Sequence, residues 1–339
     1  MKNRLFLLTL FLAGALPAAR VEAQLLPNLG GQRVGISAFQ FLKLGVGARG
    51  VGMGESFVAV ANDASALYWN PAGMTQFSEN QAMAAHTAYV VDISHEFFGV
   101  VYHLTESDAI GASFTALHME DMEITTEAQP FGTGRFFSFG DVALSFSYSR
   151  KMTDQFSFGA TIRYAQETLD VLTMRSFMID LGTFYWTGLG SSRFAVVIAN
   201  FGGDVSPEGS VTNFNGDEIG TFQSFSLPTV FKLGFAIDPI DSERHLLTAS
   251  IQLNHLNDNS ENLRFGLEYG WNSIFYLRAG VKRTIDQSLL GEDATTSESY
   301  SLGAGVQVPL GVSTIGADYS YSDFSRLGEV HRLAVAFTF

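Results

Sequence analysis

Cysteine is absent from the 339 residues, so neither a disulfide staple nor a cysteine metal ligand is available. Beyond the amino terminus there is no run of about 18 consecutive apolar residues, which excludes crossing a bilayer as helices. Charge is also scarce: Asp, Glu, Lys and Arg make up 16% of the chain, against roughly 25% in soluble domains. What charge there is leans acidic, 34 Asp and Glu against 20 Lys and Arg, which disfavours a nucleic-acid partner.

Several features stand against these absences. The chain opens Met1-Lys2-Asn3-Arg4, continues apolar from Leu5 to about Ala19, and reaches the small-x-small pattern Val21-Glu22-Ala23. This reads as a secretory signal peptide over residues 1–23, cleaved after Ala23 to leave a chain starting at Gln24. Its removal leaves 17 basic against 33 acidic residues, a formal charge of −16. The sequence is also rich in Phe and Gly, 30 and 34 residues respectively.

At the carboxy terminus Leu333, Val335, Phe337 and Phe339 alternate with Arg332, Ala334, Ala336 and Thr338. A two-residue period puts each set on its own face of an extended strand. The period recurs over about fourteen segments: 80–90, 95–104, 108–118, 135–149, 155–167, 175–186, 192–201, 226–238, 245–256, 261–271, 274–285, 298–309, 312–322 and 328–339. Val142, Leu144, Phe146 and Tyr148, for example, oppose Ala143, Ser145, Ser147 and Ser149. Fourteen spans near the 9–11 residues of a tilted strand predict an all-β fold, a closed transmembrane antiparallel barrel over residues 80–339.

Connection lengths point the same way. Short links near Thr105–Ser107, Arg150–Asp154, Gly188–Ser191, Pro239–Ser242, Asn272–Ser273 and Leu310–Gly311 alternate with longer ones at 119–134, 168–174, 202–225, 286–297 and 323–327. Compact links at 91–94 and 257–260 belong with the longer set. Outer-membrane barrels have short periplasmic turns and longer external loops. Outer-membrane lipid is then the surrounding medium, and terminal Phe339 with Phe337 reads as the signal for the barrel-assembly machinery.

A charge facing lipid at mid-depth costs roughly 2–4 kcal/mol, so the charged parity must face the lumen. That set is Arg163, Asp180, Lys232, Arg264, Glu268, Arg278, Lys282, Asp318 and Arg332. Both signs occur, which fits ion pairs across the lumen or with a plug better than solute selection. Ser and Gly between them keep the inner wall low.

Residues 24–79 lack the strand rhythm and are expected to form a separate plug or hatch. Gly45-x-Gly47-x-x-Gly50, with Asp63 downstream, copies a dinucleotide fingerprint, but no βαβ unit surrounds it and no cofactor is expected. Residues 62–73 read as a short helix capped by Asn62 or Asp63 and ended by Pro71. The seven His residues show no metal-ligand spacing, and the acidic stretches at 118–123 and 213–218 read as solvated loops rather than calcium sites. No hydrolase signature appears, and an enzyme is not expected.

Arg49-x-x-Gly52-Met53-Gly54, Asp63-Ala64-Ser65-Ala66 and Trp69-Asn70-Pro71-Ala72-Gly73 resemble the amino-terminal signature of the PorV/PorQ family, within the superfamily of FadL-type fatty-acid transporters. The resemblance is specific over about residues 39–77. It implies a fourteen-stranded barrel whose hatch carries the motif residues Arg49, Gly52, Gly54, Asp63, Trp69, Asn70, Pro71, Ala72 and Gly73. It also implies a component of the type IX secretion system that binds cargo or translocon proteins. In that reading the long loops offer Phe131, Phe136, Phe214 and Phe222 as contacts. The alternative is a passive channel for hydrophobic molecules, for which only Phe39, Phe41, Leu42, Leu44 and Phe57 of the plug could line a pocket.

Overall fold

The computed structural model describes residues 37–212, 215–284 and 300–339. The signal peptide and its cleavage site, residues 24–36 of the expected plug, Phe214 and the loop at 286–297 lie outside the described residues. Fourteen strands close into one antiparallel barrel. They are β1 (Gln81–Ala88), β2 (Ser94–His103), β3 (Asp108–His118), β4 (Phe139–Lys151), β5 (Phe156–Leu169), β6 (Leu172–Trp186) and β7 (Arg193–Phe201), followed by β8 (Val230–Asp241), β9 (His245–Leu256), β10 (Asn262–Trp271), β11 (Phe275–Thr284), β12 (Tyr300–Leu310), β13 (Ser313–Asp323) and β14 (Glu329–Thr338). Each strand pairs with its sequence neighbours, and β1 pairs with β14 to close the ring. Closure leaves no unpaired sheet edge, the condition for placing strands in lipid.

The alternation lies as the period requires. Phe146 is 69% exposed on the bare protein and Phe235 42%, while their neighbours Ser145, Ser147 and Ala236 are buried. Leu333, Val335, Phe337 and Phe339 also point outward, and the last two rings stack at 5.7 Å. The large apolar residues therefore coat the outside and the small or polar ones line the lumen.

Six short turns mark one rim, where β1 begins and the Phe339 N–H closes onto the Asn80 carbonyl at 2.9 Å. The longer connections gather at the other rim. The one between β3 and β4 carries a two-residue ribbon of Met122–Glu123 against Phe136–Phe137, and the one between β7 and β8 a second, Val211–Thr212 against Glu218–Ile219. One expected loop is shorter than its sequence implied: 168–174 is a hairpin, with β5 running to Leu169 and β6 starting at Leu172. Pairing continues there through polar residues such as Thr168 and Thr173, where amphipathic alternation no longer marks a strand.

Residues 37–79 run through the lumen from the loop rim to the short-turn rim. Ser37 bridges Ser226 at the first, and Thr75 and Gln76 reach Ser157 at the second. The segment folds as a 3₁₀ turn (Gln40–Lys43), helix α1 (Ala48–Gly52), helix α2 (Ala66–Trp69) and a second 3₁₀ turn (Pro71–Thr75). The expected longer helix is thus split at Asn70, which is extended (φ −162°, ψ 107°). Pro71 does end α2, but it also opens the next turn, a position where its fixed φ and missing N–H cost nothing. Asp63 accepts from the Ser65 N–H at 2.9 Å ahead of α2, whereas Asn62 accepts from Arg49.

Candidate functional site

The lumen is where most of the sequence-marked residues meet. Residues 48–57 face β9–β14 and bring charge to charge. Arg49, on α1, donates from Nε and Nη2 to the two carboxylate oxygens of Glu268, each at 2.8 Å. Its Nη1 donates to Asn62 at 2.7 Å and to Asp63 at 2.8 Å. Glu268 also accepts from Arg278 Nε at 2.6 Å, and Arg278 Nη1 reaches Asp318 at 2.6 Å. One continuous chain, Asp63–Arg49–Glu268–Arg278–Asp318, therefore ties the segment to three strands. The paired forks of guanidinium and carboxylate fix both distance and plane.

Glu55 extends the network. It accepts from Arg264 and has Lys282 at 4.0 Å. It is the only acid between Ser37 and Asn62, a signal that sequence reasoning passed over. Arg163 pairs with Asp180 at 2.7 Å within the wall, and the Asn200 backbone N–H also donates to Asp180 at 2.6 Å. Lys232 has no carboxylate within 4.0 Å among the described residues; it lies 5.3 Å from the Tyr68 ring centre and 5.6 Å from that of Trp69. Arg332 is fully buried, donating to Ser322 at 3.0 Å with the Phe324 ring 6.0 Å away.

The glycines of the motif allow backbone to touch backbone. Gly54 has φ 64°, and a Cβ added at the facing Gly280 would come within 1.9 Å of the Gly54 nitrogen. Gly52 lies against Gly303, and Gly50 lies under the Trp69 indole, whose Nε1 donates to the Val46 carbonyl at 3.0 Å. The Gly54 N–H donates to Ser301 Oγ at 3.0 Å, and that hydroxyl donates to the Val51 carbonyl at 2.7 Å.

Residues 66–76 face β3–β6 and rely on different contacts. Leu67, Pro71, Ala72 and Met74 are buried, and Asn70 joins the two sides. Its Nδ2 donates to the Val58 and Thr183 carbonyls at 2.9 and 3.1 Å, and its Oδ1 accepts from the Ala72 N–H at 3.1 Å. Gly159 and Gly182 on the wall leave the space that Pro71, Ala72 and Asn70 fill, while Gly73 lies against the Ala61 carbonyl.

Open spaces among the described residues lie nearby. One, of about 30 Å³, lies between Leu42, Tyr68 and Trp69 and the wall residues Arg163, Lys232 and Arg264. It has the volume of one or two waters. Another is a cleft of about 330 Å³ at the loop rim, lined chiefly by Ala38, Leu172, Met174, Phe222 and Phe225. Phe39, Phe41 and Phe57, expected to line any apolar pocket, are instead buried in packing.

Near the cleft, Lys43 and Gln40 reach Asp258 in the β9–β10 loop, both at 2.8 Å. Burial alone would raise the Asp258 carboxyl, but these bonds hold it below its ordinary value. Sequence reasoning also missed Gln252, whose Oε1 accepts from the Phe57 and Val58 N–H groups at 3.0 and 3.1 Å. Nothing in a neutral strand residue marks it for that task. Among the described residues no group of three or more His, Asp or Glu is arranged to hold a metal ion.

Comparison with known proteins agrees with this architecture. The Pseudomonas putida toluene transporter TodX superposes with a TM-score of 0.59 at 12% identity, covering 87% of this chain and 98% of that one. The CymD monoaromatic hydrocarbon channel gives 0.57 at 14%, covering 87% and 96%, and a Pseudomonas aeruginosa FadL homologue 0.55 at 14%, covering 87% and 98%. Likeness at such identities shows the FadL-like outer-membrane barrel fold. A search among curated proteins finds no matching sequence. The family described as type IX secretion system protein PorV matches residues 29–260, more than half of the chain, and takes in both the lumen segment and barrel strands β1–β9. The chain therefore belongs to the family of the type IX secretion system protein PorV.

Proposed function

We propose that this protein is a plugged outer-membrane barrel that serves type IX secretion by binding cargo or translocon proteins at its loop rim. Residues 37–79 act as the plug, and the inward charges Arg264, Glu268, Arg278 and Asp318 hold it there. The observation that carries this reading is the path of the segment through the lumen, pinned on one side by Arg49 and Glu55 and on the other by Asn70. Releasing it would break the bidentate Arg49–Glu268 pair and leave buried charges unpaired, at roughly 3–5 kcal/mol for one such pair.

A lumen closed in this way leaves the rim as the working surface. There Phe131 is almost fully exposed and Phe136 more than half, beside the Met122–Glu123 ribbon. Exposed aromatics on a loop serve as anchors for a protein partner. Barrel lipids surround the wall, and Phe337 with Phe339 offers the outward-facing end that the assembly machinery would read.

Deleting the gene from a host with a type IX system tests the proposal. Cargo carrying the system's carboxy-terminal signal domain should accumulate in the periplasm, and the full chain should restore export. Normal export with slowed uptake of an apolar solute such as toluene would overturn the proposal in favour of a passive channel.

A further inference from the structure

Five acids are buried among the described residues: Glu55, Asp141, Asp180, Asp258 and Glu268. Four have a cation at hand: Arg264 for Glu55, Arg163 for Asp180, Lys43 for Asp258, and Arg49 with Arg278 for Glu268. Asp141 has none within 4.0 Å. It is 2% exposed, and its Oδ1 has no hydrogen-bond partner.

Its cross-strand neighbour is a second acid. Asp141 on β4 is directly opposite Glu167 on β5, both on the inner face. Glu167 accepts the Phe39 N–H at 2.6 Å and likewise has no cation within 4.0 Å. Like charges directly opposed on adjacent strands repel, and an uncompensated buried carboxylate is costly to keep. Such a pair takes up a proton when it stands alone and is relieved by a positive group placed beside it.

Among the described residues, Glu167 is also the only charged one lining the 330 Å³ cleft at the loop rim. The walls above it are Leu169, Leu172 and Met174 from the β5–β6 hairpin and Phe222 and Phe225 from the β7–β8 loop. An isolated bridge from Thr173 to Glu208 holds that loop against the hairpin, and one from Val205 to Phe225 closes the loop on itself. An apolar shaft with an anionic floor complements one kind of side chain, an aliphatic stem that ends in a cation.

We propose that this cleft is a peptide-binding subsite that takes a lysine side chain from an apolar segment of a partner protein, its stem against Leu172, Met174 and Phe225 and its ammonium against Glu167, with Asp141 the cross-strand neighbour that adds to the negative field. The volume lies at the lower end of the roughly 300–1,000 Å³ typical of ligand pockets, enough for one or two side chains and not for a folded domain. The peptide identity rests on the secretion reading above; the cation preference rests on the two carboxylates alone.

The test uses the full chain in detergent and fluorescence anisotropy with three labelled pentapeptides of leucine and valine, whose central residue is lysine, norleucine or glutamate. The lysine peptide should bind at least 10-fold more tightly than the norleucine peptide, and the glutamate peptide most weakly. A D141N/E167Q variant should lose that preference, and E167Q alone should reduce it should the double variant fail to fold. Equal binding of the lysine and norleucine peptides to the unaltered protein would overturn the inference.

The chain's own Arg33, four residues before Ser37, is the competing occupant. A 10-fold gain in lysine-peptide affinity on R33Q would give the cleft to this chain's amino-terminal stretch and overturn the partner assignment. Export separates the two proposals. A D141N/E167Q strain that exports normally, in a host that needs the protein for export, would overturn the cleft and leave the secretion reading standing. Lysine preference in a protein whose deletion leaves export intact would do the reverse.

Discussion

The two halves of the lumen segment meet the wall by different physics. Residues 48–57 are held against β10–β14 by an ordered chain of charges and by backbone contact at Gly52 and Gly54. Residues 66–76 are held against β3–β6 by apolar packing around Leu67, Pro71 and Met74, with Asn70 as the main polar link. Buried ion pairs contribute little net stability but penalise every wrong arrangement, because a displaced charge loses its partner. Apolar burial is strong and tolerant of small shifts. The charge chain of the first half therefore sets where the segment sits, while apolar burial, in which Val51, Met53 and Phe57 join Leu67 and Met74, holds it on both sides.

The sharpest way to break that contrast is to fill the backbone contact. G280V would drive a side chain into the Gly54 backbone, which has no rotamer to retreat along, and should eject residues 48–57 or block assembly. G182V meets the Asn70 side chain, at 2.2 Å from Oδ1, and the Pro71 ring, so it should be milder. Limited proteolysis of the folded barrel, read at Arg49, measures both. Equal protection in the two variants would erase the distinction.

Removing one member of the charge chain comes next. E268A leaves the buried Arg278 and the half-buried Arg49 without their shared carboxylate, and should destabilise by roughly 3–5 kcal/mol, seen as a lower denaturant midpoint. N70A removes the side-chain bonds to Val58, Thr183 and Ala72 and should cost about 1–3 kcal/mol. A double-mutant cycle between Arg49 and Glu268 should show strong coupling, and one between Arg49 and Asn70 little.

The smallest effect is expected at the rim. D258N removes the buried carboxylate that receives Lys43 and Gln40; the Lys43 end is partly exposed and asparagine can still accept from both, so the cost should be about 1 kcal/mol. Since the folded carboxyl lies below its unfolded value, its contribution is present above about pH 4 and is lost as the pH falls through the folded value. The difference in melting temperature between D258N and the unaltered chain should thus shrink between pH 7 and pH 3.

Much of the barrel was legible because lipid and lumen impose opposite demands at every second residue. Val142, Leu144 and Phe146 could face only lipid, and Arg264 and Glu268 only the lumen. The end of β5 and the start of β6 were not legible, since strands that project past the hydrocarbon lose the apolar half of the alternation. In the lumen segment the motif residues stood out by kind, Arg49 as a charge among glycines and Asn70 before a proline. Their partners did not. Glu55, Gln252 and Asp258 take their roles from residues that lie far away in sequence or on another element.

Sequence by itself determined the fourteen strands, their neighbours and the sign of each face, because a two-residue period in a two-solvent setting admits one solution. Only the tertiary structure decided which charges meet, that Gly54 and Gly280 touch through their backbones, and that Asp141 and Glu167 stand opposed beneath an apolar cleft. Those pairings depend on the strand register and on the path of residues 37–79 through the closed ring, and neither can be read from local pattern, since each joins positions more than a hundred residues apart or on facing strands.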